Sequence, residues 1–366
     1  MARVTEGKNL ETGLESDRFQ DAPHPRGTHV FIGHAEAEQN LLRAYLAGHL
    51  PQAFLIGGAP GIGKATLAWR LARFLLANPE PAVADDTRTD LFVPPAHPVS
   101  RQIIAMGHPD LFLLRREWND KDKKLFTDIR VEDVRRATHM FQQAAGRGGY
   151  RVCILDCAED LNQNSANALL KLIEEPPPRS LFLIIAQRPG RVLATLRSRC
   201  QKILLRPLAA ADIDAIVAAL GPPWSNIDDA TRAAAVARSR GSVHYALRLL
   251  GDQGIELDAD LGRMLDDLPH IDWSQVHALA DRIAARNNSG DYETMLATVE
   301  DWLDARVRHG ARTPQGACAR QLAPYALVWE KLSEAARETE IFNLDKRLLV
   351  LSLFADLAAA VQASPS

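Results

Sequence analysis

Short apolar runs alternate with amphipathic stretches over the first two hundred residues. Runs that end at glycine, aspartate or alanine are typical of buried strands, whereas apolar residues three and four positions apart indicate helices. The predicted strands are 53–56, 110–114, 124–129, 152–155 and 181–186, and the predicted helices are 36–50, 65–77, 131–145 and 165–175. Because strands and helices alternate, the pattern predicts an α/β domain with a parallel sheet.

The pattern changes after Pro207. From 209 to 363 the chain is rich in alanine and leucine at helical spacing and contains no convincing strand. We therefore predict a second, helical part of the chain. The predicted regions are a disordered tail over 1–26, an α/β domain over 27–207, a small helical domain over 208–252 and an all-α domain over 253–366.

Composition narrows the classes of function. With 366 residues, 46% of them hydrophobic and 24% charged, the chain suits a globular protein of two or three domains. Lys and Arg total 43 against 46 for Asp and Glu, which leaves the chain with a small net negative charge. This charge excludes a strongly basic protein that binds nucleic acid with its whole surface. The four cysteines are not spaced as a disulfide framework, and we find neither a signal peptide nor a membrane span. We expect a cytoplasmic protein without a membrane partner.

A glycine-rich segment between the first predicted strand and its helix carries the clearest chemistry. Gly58, Gly61, Gly63 and Lys64 fit the phosphate-loop pattern G-x-x-x-x-G-K. In such a loop, backbone N–H groups and the helix N-terminus surround phosphate oxygens, and the lysine pairs with them. The segment predicts a site for ATP or ADP; the alternative is a glycine turn with an incidental lysine.

Two positions that handle Mg²⁺ and water in phosphate-loop enzymes are altered. The residue after the lysine is Ala65 rather than Ser or Thr. Thr66 lies about 100° further round the helix, so it stays a candidate phosphate contact but does not replace the missing hydroxyl. Asp156 ends a buried strand and suits the water shell of a metal ion, but Cys157 follows it, and a thiol is a poor general base. We expect weak nucleotide binding at most.

The chain resembles bacterial clamp-loader subunits of the AAA+ class, most closely the delta-prime family of DNA polymerase III. The residues 164–177, which end in Glu-Glu-Pro-Pro, look like the family's helix after the Walker B strand. Ser198-Arg199-Cys200 matches a family signature, and 32–34, 241–250 and 343–345 also fit. The resemblance spans about residues 28–358.

This resemblance implies both a fold and a role. The fold is an AAA+ phosphate-loop domain followed by a helical lid and an all-α collar, through which five subunits form a ring. Arg199 is implied to reach in trans into the ATP site of a neighbouring subunit. Delta-prime proteins act as the stator and lack a working ATP site of their own. The family has two sensor positions. The first is Ala186 in this chain, where a polar residue is usual, and the second is His244, where an arginine is usual.

The implied partners are the gamma/tau and delta subunits of the clamp loader. The sliding clamp and primed DNA are reached through that complex, which belongs to a DNA-directed DNA polymerase holoenzyme. Many relatives carry a four-cysteine zinc module after the phosphate-loop helix. This chain has no cysteine between Lys64 and Cys153, so we expect no zinc and no other metal.

Two alternatives compete with this interpretation. One is an active, ATP-hydrolysing subunit of gamma/tau type, in which Thr66 holds the metal. The altered residues at 65, 157, 186 and 244 together argue against it. The other is an AAA+ motor on a different pathway, such as a branch-migration helicase. The combination of Glu174–Pro177 with Ser198–Cys200 argues against that.

Overall fold

The computed structural model describes residues 15–18, 22–80, 88–122, 124–142, 149–251, 254–285, 289–312, 319–342 and 344–364. The chain divides into two compact units. The first contains the residues up to 226 together with 239–244, and the second contains 227–238 together with the residues from 245 onward. The chain therefore crosses between the units three times.

A parallel sheet forms the centre of the first unit. Its strands are β1 (Ala53–Gly57), β2 (Leu111–Leu114), β5 (Arg151–Asp156), β6 (Ser180–Ala186) and β7 (Gln201–Leu204), while β3 (Trp118–Asn119) and β4 (Lys124–Leu125) make a small antiparallel hairpin. Among the described residues, five strands pair in the order β2-β5-β6-β1-β7, all parallel. Both faces of the central strands are buried, as is usual for parallel sheets covered by helices. The α/β prediction is confirmed.

Helices cover the two faces of this sheet. They are α1 (Ala35–Leu46), α2 (Lys64–Ala77), α3 (Pro98–Ile104), α4 (Val131–Gln142), α5 (Gln163–Glu174) and α6 (Ala194–Arg197). A further helix of the unit, α7 (Ala210–Ala219), comes after the last strand. Phe54 and Ile56 pack in one apolar cluster with α1, α2 and α3. Leu55, which points the other way, packs in a second cluster with α4, α5 and α6. Leu91 and Ile103 join the first cluster, so the described part of the 78–107 insertion packs through apolar side chains.

Two strands differ from the sequence prediction. The edge strand β7 was not predicted, because Gln201 and Lys202 are exposed and, within the described residues, the strand pairs with β1 alone. The strand predicted over 124–129 is shorter, and its first two residues form the hairpin with β3 instead of joining the sheet. The end of the helix predicted over 131–145 lies outside the described residues.

The N-terminal residues 15–18 and 22–26 differ from the tail predicted over 1–26; residues 1–14 and 19–21 lie outside the described part. Arg115, which follows β2, pairs with Asp17 and lies 2.9 Å from Glu15, and Arg26 also pairs with Glu15. The Asp17 side chain is only 1% exposed. The many charged residues of this segment suggested that it is solvated. Composition alone does not reveal that these charges neutralise one another in the folded protein.

The second unit is helical throughout its described residues, as predicted. Its helices are α8 (Asp229–Arg238), α9 (Val243–Leu249, from Tyr245), α10 (Gly254–Asp266), α11 (Trp273–Ala284), α12 (Ser289–Arg312), α13 (Ala319–Phe342) and α14 (Lys346–Ala363). Leucines of α10, α11 and α14 form its core, with Phe354 fully buried. Inside the unit, Tyr245 donates to Asp258 at 2.7 Å and Thr298 donates to the same carboxylate at 3.1 Å. No helix in the described part of the chain combines the length and apolarity needed to span a bilayer.

Candidate nucleotide site and surface arginine

The glycine-rich loop lies between β1 and α2, where the sequence placed it. Gly58, Gly61 and Gly63 have φ angles of 146°, 72° and 101°, which side-chain-bearing residues rarely adopt. A Cβ on Gly61 would stand 2.2 Å from the Cβ of His244. Glycine is therefore required at 61 both by the backbone conformation and by the close approach of this neighbouring segment.

The lysine of the loop is directed to its own backbone. Lys64 is 5% exposed, and its Nζ donates to the carbonyl oxygen of Ala59 at 2.6 Å. Burial lowers the pKa of Lys64 to about 8, although the nearby carboxylates of Asp156 and Glu159 oppose the shift. To pair with a phosphate, the ammonium group has to exchange this internal hydrogen bond for one to the ligand.

A segment of the same unit bonds to the phosphate loop. The hydroxyl of Ser242 donates to the carbonyl of Pro60 at 2.9 Å, and the N–H of Val243 donates to the carbonyl of Gly61 at 3.0 Å. The loop is thus tied to the segment that carries His244, the second sensor position. These bonds hold the loop backbone in place from the side of residues 239–244.

Asp156 lies at the same edge of the sheet as the loop. It is the last residue of β5 and is level with Ile185 in β6, while Gly57 at the end of β1 is level with Ala186. Only β6 separates the two strand ends. The structure therefore brings Asp156 to the edge of the sheet that carries the phosphate loop.

Burial dominates the electrostatics of Asp156. It raises the pKa of Asp156 to about 7; Asp17 and Asp160 push in the same direction, and Lys64 lowers it only in part. A carboxyl with this pKa is partly protonated at neutral pH and is then a weak ligand for a cation. Cys157, unlike the partly exposed Asp156, is buried, and burial raises the pKa of its thiol, which stays protonated.

The remaining predicted positions lie around this site. Ala65 and Thr66 are partly buried in the first turn of α2, and Ala186 is fully buried at the end of β6. In the described part of the chain, no cluster of three His, Cys, Asp or Glu residues is arranged to hold a metal ion. Of the residues that would meet the metal and the attacking water in an ATPase, Ala65 is apolar, the Cys157 thiol stays protonated and Asp156 is only partly ionised at neutral pH.

Sequence reasoning missed two residues that contact the loop. A ring nitrogen of His34 lies 2.8 Å from the carbonyl oxygen of Ile62, and Ser242 bonds to Pro60 as described. Both belong to short motifs that match the clamp-loader pattern, 32–34 and 241–250. These motifs marked the two residues as members of the clamp-loader pattern, but only the fold shows that they contact the phosphate loop.

Arg199 is on the surface, just after α6. Its side chain is 40% exposed, and its guanidinium lies 2.6 Å from an oxygen of Glu174 and donates to the carbonyl oxygen of Thr195 at 2.9 Å. The flanking residues Leu196 and Cys200 are buried in the core cluster beneath it. Arg197, the other arginine of the motif, donates instead to backbone carbonyls of 189 and 190.

Arg199 lies at the sheet edge opposite its own phosphate loop. It precedes β7, whose first residue, Gln201, is level with Phe54 in β1. Gly58 comes four residues after Phe54, and four residues of strand span about 13 Å. The two strands are parallel, so the arginine comes before their amino ends and the phosphate loop after their carboxyl ends.

Comparison with known proteins identifies the family. A family model described as DNA polymerase III, delta subunit, matches residues 33–209. The DNA polymerase III subunit delta-prime of Escherichia coli is 30% identical over 263 residues, which cover 71% of this chain and 67% of that protein. The chain belongs to the delta-prime family of DNA polymerase III subunits. The parallel sheet, the phosphate loop and the helical C-terminal region confirm the AAA+ fold class that the resemblance implied.

Two further relatives define how far the likeness extends. Delta-prime of Pseudomonas aeruginosa is 36% identical over 222 residues, 59% of this chain and 61% of that protein. The tau subunit of Escherichia coli is 28% identical over 184 residues, half of this chain and 26% of that protein. The chain thus belongs to a family of DNA polymerase III subunits, and its match covers less than two thirds of the length of the Pseudomonas relative.

Proposed function

We propose that this chain is the subunit of a clamp-loader complex that does not hydrolyse ATP itself. It acts as a stator and donates Arg199 to the ATP site of a neighbouring subunit. The ATP cycle of the complex then loads the sliding clamp onto primed DNA during replication. The proposed partners are the gamma/tau and delta subunits, with the clamp and DNA contacted through the assembly.

The observation that carries this proposal is the position of Arg199. The arginine is exposed at the amino edge of the sheet, whereas the chain's own phosphate loop is at the carboxyl edge. An arginine in that position suits a nucleotide bound by another subunit, where its charge would stabilise the phosphoryl group in transfer.

The composition of the chain's own site supports the absence of hydrolysis. Ala65 offers no oxygen to a metal ion, and the thiol of Cys157 remains protonated because burial raises its pKa. Lys64 is bonded to the loop itself. Gly58, Gly61, Gly63, Lys64, Thr66 and Asp156 would hold ATP or ADP if a nucleotide binds, and we propose that such binding is weak and structural.

The first test compares two neighbouring arginines in the assembled complex. Arg199→Ala should stop hydrolysis at the one site that it serves, because an arginine finger contributes about 10³-fold or more to the rate there. Arg197→Ala, whose guanidinium contacts only backbone carbonyls of its own loop among the described residues, should leave hydrolysis unchanged. Single-turnover ATP hydrolysis is measured together with native mass spectrometry, which reports assembly. Normal hydrolysis in fully assembled Arg199→Ala complex would disprove the finger assignment.

The second test addresses the isolated chain. Steady-state hydrolysis of Mg-ATP is compared between the wild type and Lys64→Ala, which controls for contaminating ATPases. Equal, negligible rates agree with a stator. Turnover by the wild type that disappears in Lys64→Ala would instead establish an ATP-hydrolysing subunit of gamma/tau type.

A further inference from the structure

The exposed arginine proposed as a finger is held by a carboxylate of its own chain. One amino nitrogen of Arg199 lies 2.6 Å from an oxygen of Glu174, and the other donates to the Thr195 carbonyl at 2.9 Å. In the described part of the chain these are its two partners. A guanidinium has five N–H donors, so these two partners leave Nε–H and further amino hydrogens unused.

The backbone on both sides of this pair is fixed by the core. The α5 helix starts at a cap in which Asn162 accepts from the N–H of Ser165, and its apolar side, including Ile173, is buried. On the other side, Leu196 and Cys200 are buried, and the thiol of Cys200 donates to the carbonyl of Leu196. The ion pair therefore joins two elements whose backbones are anchored by buried side chains.

Helix stability does not account for Glu174. It is the last residue of α5, where the negative end of the helix dipole disfavours a carboxylate. Its side chain is 43% exposed, and an ion pair exposed to this degree adds little to folding stability. What the pair does restrict is the direction of a long side chain that otherwise samples many rotamers.

We propose that Glu174 is a positioning residue for Arg199. Together with the Thr195 carbonyl, it holds one edge of the guanidinium and leaves the other N–H groups directed outward, ready for the phosphate of a nucleotide on the neighbouring subunit. This inference rests on the proposed function of Arg199. It assigns to Glu174 an effect on the rate of the chemical step and none on nucleotide affinity or assembly.

The test uses the full chain in the assembled complex, with clamp and primed DNA present. Glu174→Ala should lower kcat at the served site by about fivefold, equivalent to about 1 kcal/mol of barrier, with unchanged KM for ATP and unchanged assembly. Glu174→Gln keeps one oxygen acceptor without the charge. Its kcat should lie between the kcat of the wild type and that of Glu174→Ala. The matched control is Glu175→Ala, since Glu175 is exposed, adjacent and of the same charge but does not pair with Arg199.

A double-mutant cycle shows whether Glu174 acts through the arginine. The double variant Glu174→Ala/Arg199→Ala should hydrolyse ATP at the rate of Arg199→Ala alone. A further loss in the double variant, or a faster single variant Glu174→Ala, would overturn the positioning role. If Arg199→Ala is slow but Glu174→Ala matches Glu175→Ala, this inference fails while the proposed function stands. If Arg199→Ala itself has no effect, the proposed function fails first.

Discussion

At the scale of single residues, the candidate nucleotide site contains ionisable groups that are costly to bury. Burial lowers the pKa of Lys64 to about 8 and raises the pKa of Asp156 to about 7, so each group shifts toward its neutral form. Their mutual attraction opposes these shifts without cancelling them. The two shifts therefore reduce the stability of the folded protein at neutral pH.

Asp156→Asn should stabilise the protein in a pH-dependent way. The folded-state pKa of Asp156 lies above its unfolded value of 3.8. The stability that the protonated carboxyl contributes is therefore fully present below pH 3.8 and is lost as pH rises through about 7. The advantage of asparagine should grow by up to about 1.4 kcal/mol per pH unit between pH 5 and 7 and level off above pH 7. Denaturant unfolding across this range measures it.

The matched control for this prediction is Asp266→Asn, an exposed aspartate in α10. Its effect on the free energy of unfolding should not change between pH 5 and 8. A flat difference for Asp156→Asn as well would show that the carboxyl of Asp156 is ionised throughout and well solvated in the folded protein.

At the scale of elements, the described N-terminal residues behave as part of the α/β unit. They attach to Arg115 directly after β2, next to the sheet edge at which Asp156 lies. Burial alone would raise the pKa of Asp17, but His24 and Arg115 outweigh it and lower that pKa to about 2. A buried carboxylate held this strongly fixes the segment to the sheet.

Asp17→Asn should therefore destabilise the protein by about 2 kcal/mol at pH 7. The folded-state pKa lies below the unfolded value, so the stabilisation is present above about pH 4 and disappears as pH falls toward 2. Thermal unfolding at pH 7 and at pH 3 measures the loss. Asp120→Asn, in the exposed hairpin turn, is the control and should be neutral at both pH values. A neutral Asp17→Asn variant at pH 7 would mean that the segment detaches in solution.

At the scale of the whole molecule, the boundary between the two units does not follow the order of the chain. The sequence suggested a small helical domain ending at 252, but α8 and α9 belong to the same unit as the helices after it. Leu249 is fully buried in a cluster with Ile255 and Ala297, and Tyr245 donates to Asp258. A cut near 252 therefore divides one core instead of separating two domains.

A chain ending at Gly251 should open in the region 227–250. Removing the partners of Tyr245 and Leu249 should cost more than about 1.4 kcal/mol locally, so proteolysis there should be at least about ten times faster than in the full chain. Limited proteolysis with mass spectrometry locates the cuts. Tyr245→Phe in the full chain, which removes only the hydroxyl, should give a smaller increase. Equal rates in the truncated and full chains would show that α8 and α9 need no support from the later helices.

The sequence alone determined the features that depend on local pattern. Alternating apolar runs predicted β1, β2, β5 and β6, because a buried parallel strand has to be apolar on both faces. The spacing of Gly58, Gly63 and Lys64 predicted a loop at a strand–helix junction, because only glycine tolerates its backbone conformation. The Glu-Glu-Pro-Pro helix followed by Ser198–Cys200 indicated the family that the comparisons confirm.

Only the tertiary structure decided which residues meet. The edge strand β7 gives little apolar signal because it has one neighbour, and the pairing of Asp17 with Arg115 joins residues about a hundred positions apart. The bond from Ser242 to Pro60 and the ion pair between Glu174 and Arg199 likewise link distant segments. Such contacts depend on how the elements pack in three dimensions. The pattern of apolar and polar residues along the chain shows which positions are buried, but not which distant residue each of them contacts.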